Sequence, residues 1–138
     1  MKLFLLLLVV SCSTMTEGTY KKKYHLEDYK SKLEPSVVHG MLFRKMKKCY
    51  TQSDYPVYEK TVGTFDVTTQ AGTIYYEIDN QSLGPKPLVI VDIMKDPEGS
   101  LIKVYAKGDM FRPASIYKHQ IHKWLNDKKV DCDSHGQI

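Results

Sequence analysis

The stretch Leu88-Val89-Ile90-Val91-Asp92-Ile93-Met94-Lys95-Asp96-Pro97-Glu98-Gly99-Ser100-Leu101-Ile102-Lys103-Val104-Tyr105-Ala106-Lys107 decides the architecture. Two runs rich in β-branched residues flank a turn, which is the pattern of a β-hairpin. In Asp96-Pro97-Glu98-Gly99, proline presets φ and glycine takes the left-handed position. The second run alternates. Ile102, Val104 and Ala106 share one face, and Leu101, Lys103, Tyr105 and Lys107 the other. The first run is apolar on both faces, Val89, Val91 and Ile93 against Leu88, Ile90, Asp92 and Met94, as expected of an internal strand.

Two further strands precede this hairpin. Thr73 to Asp79 places Ile74, Tyr76 and Ile78 on one face and Tyr75, Glu77 and Asp79 on the other. Tyr58 to Val67 is β-branched and aromatic, and its alternation slips at Gly63, where a bulge is expected. Thr68-Thr69-Gln70-Ala71-Gly72 reads as a turn and Asn80 to Pro87 as a looser loop. Short turns between consecutive strands make an antiparallel meander.

A helix is expected on each side of the strands. The first follows Glu34-Pro35-Ser36 with Ser36 as N-cap, and Val38, Met41, Leu42, Met46 and Cys49 fall at helical spacing. Arg44, Lys45, Lys47 and Lys48 suit the negative end of its dipole. The last helix, capped by Ser115, carries Ile116, Tyr117, Gln120, Ile121, Trp124 and Leu125 as one stripe. The expected fold is α+β, a two-layer α-β-β-β-β-α arrangement. Its four-stranded antiparallel meander carries both helices on one face.

The chain has 138 residues, a net charge of +4, 42% hydrophobic and 26% charged residues. That is ordinary globular composition with room for one domain, placed at residues 26–138. It excludes a disordered chain, a collagen-like repeat and a multi-pass membrane protein.

The first residues set the compartment. Met1-Lys2, the apolar run Leu3 to Val10, and Ser11-Cys12-Ser13 are the three parts of a secretory signal. The apolar run is far shorter than the roughly 20 residues that span a bilayer. Two cleavages fit. Ser11 and Ser13 can serve an ordinary signal peptidase, leaving a start near Thr14 and a secreted eukaryotic effector. Alternatively, Val9-Val10-Ser11-Cys12 is a lipobox, residues 1–11 are the signal peptide, and the Cys12 thiol takes a diacylglycerol group.

On Val9 to Cys12 and the polar Ser13-Thr14-Met15-Thr16-Glu17-Gly18-Thr19-Tyr20 that follows, the chain resembles the small lipoproteins of Gram-negative bacteria. Val9 stands where leucine is usual in that group. The resemblance implies a chain anchored in the membrane by lipid on Cys12. With Ser13 rather than aspartate next to it, it implies export to the outer membrane. Residues 12–25 are then a lipidated start and polar tether. Its Lys21-Lys22-Lys23 run is either a solvated linker or a contact to anionic headgroups.

With Cys12 spent on lipid or lost with the signal, Cys49 and Cys132 remain. In an oxidising compartment they are expected to pair, closing a loop of about 84 residues, which the chain-entropy model values at roughly 4.5 kcal/mol.

No arrangement of residues points to catalysis. His119 and His122 are spaced i, i+3, but no acidic third ligand lies in register, so no metal is expected. His25, His39 and His135 have no visible catalytic partner. No nucleophile elbow or phosphate loop is present. Glu77, Asp79 and Asp92 read as solvated acids rather than a glycosidase pair. The basic residues are spread along an exported chain, which argues against nucleic acid. No cofactor and no enzymatic activity are expected.

If both helices cover one sheet face, the other shows Tyr75, Leu88, Ile90, Met94, Leu101 and Tyr105, rimmed by Lys103, Lys107, Glu77 and Asp79. Such a patch marks a partner site, or else the tether or the Asn80–Pro87 loop folds over it. The expectation is a non-catalytic envelope lipoprotein that contacts another envelope protein through Tyr75, Leu88, Ile90, Met94 and Tyr105. A carrier of a small lipid or apolar ligand is the alternative.

Overall fold

Asp96 pairs with Gly99 across a two-residue turn, and Gly99 sits at φ 140°, a conformation that glycine adopts without strain. The hairpin is thus built as its sequence dictates. In the computed structural model, which describes residues 15–50, 57–80, 84–108, 112–129 and 132, it forms the middle of a five-stranded sheet.

The elements in chain order are α1 (Glu17–Tyr24), β1 (His25–Ser31), α2 (Pro35–Tyr50), β2 (Val57–Asp66), β3 (Ala71–Asn80), β4 (Gly84–Asp96), β5 (Gly99–Ala106) and α3 (Ala114–Asn126). Sheet order is β1-β5-β4-β3-β2, with every neighbouring pair antiparallel. The fold class is α+β, and β2 to β5 form the expected meander. Among the described residues the sheet has five strands rather than four, and there are three helices rather than two.

The inner sheet face packs against α2 and α3. Val38, Leu42 and Met46 of α2 and Tyr117, Ile121 and Trp124 of α3 meet Ile74, Tyr76, Val91, Ile93, Ile102 and Val104, all at or near zero exposure. Both helices therefore lie on one face, as their apolar stripes required.

The added strand β1 pairs with β5, with a bulge between His25 and Glu27. The added helix α1 occupies most of the segment read as a polar tether. It is capped by Thr16, whose hydroxyl accepts from the Thr19 N–H at 3.3 Å, and it lies on the outer sheet face. Cys12, Ser13 and the signal segment lie outside the described residues, as does His135.

Local details differ at three further places. Pro35 opens α2, suiting the first helical position because its missing N–H is not needed there. The carbonyl of Glu34 accepts from Val37 and Val38, so Ser36 lies inside the helix. Pro113 rather than Ser115 occupies the N-cap of α3. The β2–β3 ladder is regular from Val57–Asn80 to Asp66–Ala71, without a bulge at Gly63. There the absent side chain makes room for Phe43 and His39 of α2: a Cβ on Gly63 would lie 2.8 Å from the Phe43 ring.

Candidate functional site

The candidate partner patch lies on the outer face, and α1 decides how much of it is open. Tyr20 is buried against Ile90 and Tyr105, with Tyr24 and Tyr75 packed around them. The Tyr20 hydroxyl donates to the Leu88 carbonyl at 2.8 Å and accepts from the Lys107 N–H at 2.9 Å. Burial pushes its pKa up to about 12, so the hydroxyl stays protonated. At the other end of α1, Glu17 accepts from the Tyr75 hydroxyl at 3.1 Å. Lys21 reaches Glu17 and Asp92, at 2.7 Å each. Burial works against the Lys21 charge, but hydrogen bonds to these carboxylates prevail and hold its pKa above the ordinary value.

The five patch residues therefore divide. Ile90 and Tyr105 are buried beneath α1, and Tyr75 and Met94 are partly covered. Leu88 is not on this face at all. The β3–β4 register slips between Tyr76 and Glu77, and the extra residue turns Leu88 toward the inner core beside Val89. The face is not open at its centre; the chain's own N-terminal helix occupies it.

Three of the exposed large apolar side chains lie on β2 and its turn: Tyr58 is 38% exposed, Val62 40% and Val67 72%. β2 is also an outer edge of the sheet, and no strand pairs with its far side among the described residues. The opposite edge is guarded. β1 is short and bulged, its Glu27 binds Lys118 of α3 at 2.6 Å, and its Tyr29 stacks on His122 at 5.5 Å between ring centroids. β2 has ten residues, no bulge, and its Lys60 is turned onto Glu77 and Asp79 at 3.7 and 3.8 Å. It is charged as well, with Glu59 turned inward near Arg112 and with Lys60 and Asp66, but it is longer than β1 and has no register shift.

A second hollow, of about 820 Å³, runs beside α3. Glu27, Arg112, Lys118, His119 and Lys123 line it with Tyr50 and the Cys49–Cys132 pair. At its base Arg112 donates to the Tyr76 hydroxyl at 2.9 Å and lies 3.8 Å from Glu59. Burial, and then the Glu59 carboxylate, push the Tyr76 pKa up. Tyr50, Tyr76, Tyr117 and Trp124 form an aromatic cluster with centroids 5.0–6.0 Å apart. The Cys49–Cys132 disulfide joins the end of α2 to the segment after α3.

The remaining chemical candidates are not brought together. Glu77 and Asp79 share Lys60, whereas Asp92 is held by Lys21 and the Thr73 hydroxyl. His119 and His122 are exposed on α3, and His122 is engaged by Tyr29 and Asn126. No group of three metal-ligating side chains occurs among the described residues. Sequence reasoning missed the β2 edge as a site, although the β-branched run and the turn after it were the signal. Comparison with family models, curated proteins and solved structures finds no match.

Proposed function

We propose that this chain is a non-catalytic protein of the Gram-negative cell envelope, anchored to the outer membrane by lipid on Cys12. On this reading it binds an extended segment of another envelope protein along the edge of β2. The observation that carries the binding role is the long, regular edge of β2, which no strand pairs among the described residues. Ten residues offer a row of backbone donors and acceptors, beside the exposed side chains of Tyr58 and Val62. A partner strand added there gains main-chain hydrogen bonds, and alternate side-chain positions supply selectivity. The bonded Cys49–Cys132 pair supports an oxidising compartment. The carrier reading has less support. The layer between helices and sheet is filled by fully buried side chains, and the hollow beside α3 is lined by charges.

Two measurements test this. The intact mass of the mature protein from its native membrane gives a chain beginning at acylated Cys12. A start near Thr14 overturns the anchor. For the edge, a photoreactive phenylalanine in place of Val62 gives a discrete protein adduct in the envelope, whereas the same group in place of Lys30 on β1 gives none. Equal adducts at both edges, or none at either, overturn the β2 assignment.

A further inference from the structure

The way α1 is fixed also orients the molecule. Only the spacing from Cys12 to Thr16 separates the lipid-bearing position from the helix N-cap, a reach of at most about 14 Å for extended chain. The N-terminal end of α1 sits over β3 on the outer face, where Glu17 meets Tyr75. Resting on the anchored reading above, we propose that the α1-bearing face of the sheet lies against an anionic phospholipid surface, with α2, α3 and the hollow beside α3 directed away from it.

The basic groups on that face gather around one end of α1. Elsewhere on it five acids share two lysines and a histidine: Lys21 bridges Glu17 and Asp92, Lys60 lies near Glu77 and Asp79, and Asp28 bonds His25. Lys22, Lys23 and Lys107 are exposed and form no ion pair among the described residues. Lys22 stands on the side of α1 opposite the buried Tyr20, and Lys23, three residues on from Tyr20, is exposed at the flank of the buried side. Lys23 and Lys107 flank the ring of Tyr24, with ammonium groups 5.4 and 6.0 Å from its centroid. Basic side chains around an aromatic ring, close to a lipid anchor, fit the interfacial zone of an anionic bilayer. Met15, exposed just before the helix, adds an apolar contact on the anchor side. The lysine run thus has two roles: Lys21 holds α1 to the sheet, while Lys22 faces outward and Lys23 lies exposed beside Tyr24.

The test uses the mature protein purified from its envelope in detergent. It is reconstituted on vesicles of phosphatidylcholine, alone or mixed with phosphatidylglycerol, and its amines are labelled by acetylation and read by mass spectrometry. Lys22, Lys23 and Lys107 should be labelled several-fold more slowly on the anionic vesicles than on the neutral ones, while Lys47 and Lys118 are unchanged. Replacing Lys22→Glu and Lys23→Glu together should leave the protein on the vesicles and erase the difference at Lys107. Equal labelling on both vesicle types, protection of Lys118 instead, or protection seen only in the native envelope overturns the orientation. Intact mass on the same sample separates the two readings. An unacylated Cys12 overturns the anchor and the orientation with it; an acylated chain with equal labelling overturns the orientation alone.

Discussion

The hydroxyl of Tyr20 hydrogen-bonds the carbonyl of Leu88, 68 positions later, at 2.8 Å. Leu88 is the bulged residue of β4, and its carbonyl also accepts from the Lys107 N–H at 3.0 Å. The N-terminal helix is thereby tied to the irregular end of the β4–β5 pair. Tyr20→Phe removes the hydroxyl but leaves the Lys107–Leu88 bond, so it should cost about 1 kcal/mol. Tyr20→Ala also empties the site between Ile90 and Tyr105 and should cost about 3 kcal/mol. Urea unfolding reads both. Hydrogen exchange should show residues 17–24 losing protection in Tyr20→Ala while α2 keeps it.

Lys21 and Asp92 form the second attachment, in a partly buried setting where the side chains are 22% and 15% exposed. Removing Lys21 leaves Asp92 accepting a hydrogen bond from the Thr73 hydroxyl, at 2.9 Å. A double-mutant cycle of Lys21→Ala and Asp92→Ala should give a coupling of about 1 kcal/mol. Because the pair is not fully enclosed, 1 M salt should reduce it. A coupling indistinguishable from zero at low salt would mean that Tyr20 alone holds the helix.

Legibility followed periodicity. The β3–β5 faces were readable because Ile74, Tyr76, Ile102 and Val104 alternate strictly, and each reaches the inner core. α1 was not readable. Glu17-Gly18-Thr19-Tyr20-Lys21-Lys22-Lys23-Tyr24 has no apolar stripe, and its place is set by one tyrosine, one lysine and tertiary contacts more than 50 positions away. β1 was missed for a related reason. His25-Leu26-Glu27-Asp28-Tyr29-Lys30-Ser31 is mostly polar, and the bulge breaks its alternation. The patch is readable as apolar, but its cover is not, so alternation alone puts Ile90 and Tyr105 at the surface and Leu88 on the outer face, whereas α1 buries the first two and the bulge turns Leu88 inward. Ile90 is fully buried, so a charge placed there would destabilise the fold rather than probe a partner.

The Cys49–Cys132 bond spans 83 positions, enclosing α2's last residue, four strands and α3. Breaking so long a loop releases entropy mainly to the unfolded chain. Replacing both cysteines by serine should lower stability by about 2–4 kcal/mol. The sheet should survive, because the inner core does not depend on the sulfur atoms. Far-ultraviolet dichroism of the double variant should match that of the parent, with the urea midpoint shifted down. A variant as stable as the reduced-and-alkylated parent is expected; one as stable as the oxidised parent would show that the bond adds no stability.

His39 provides the pH-dependent element. Its ring lies in a slot made by two glycines, 3.3 Å from the Cβ position of Gly63 and 2.8 Å from that of Gly72, between Phe43 and Phe65. Its Nε2 is buried without a hydrogen-bond partner. Burial lowers the pKa below the ordinary 6.5, with backbone groups of Thr73 and Thr64 offsetting part of the effect. The unfolded chain therefore binds more protons than the folded one once the pH drops below about 6.5. The stability that a neutral His39 contributes is fully present above that value and is lost as pH falls through the depressed pKa. His39→Phe keeps an aromatic ring in the slot and removes the proton site. Urea unfolding at pH 7.5 and pH 5.5 should show the parent losing more stability than the variant over that interval. Any packing penalty of the larger ring should be the same at both values. Parallel pH profiles would mean that the ring takes up its proton as readily in the fold as outside it.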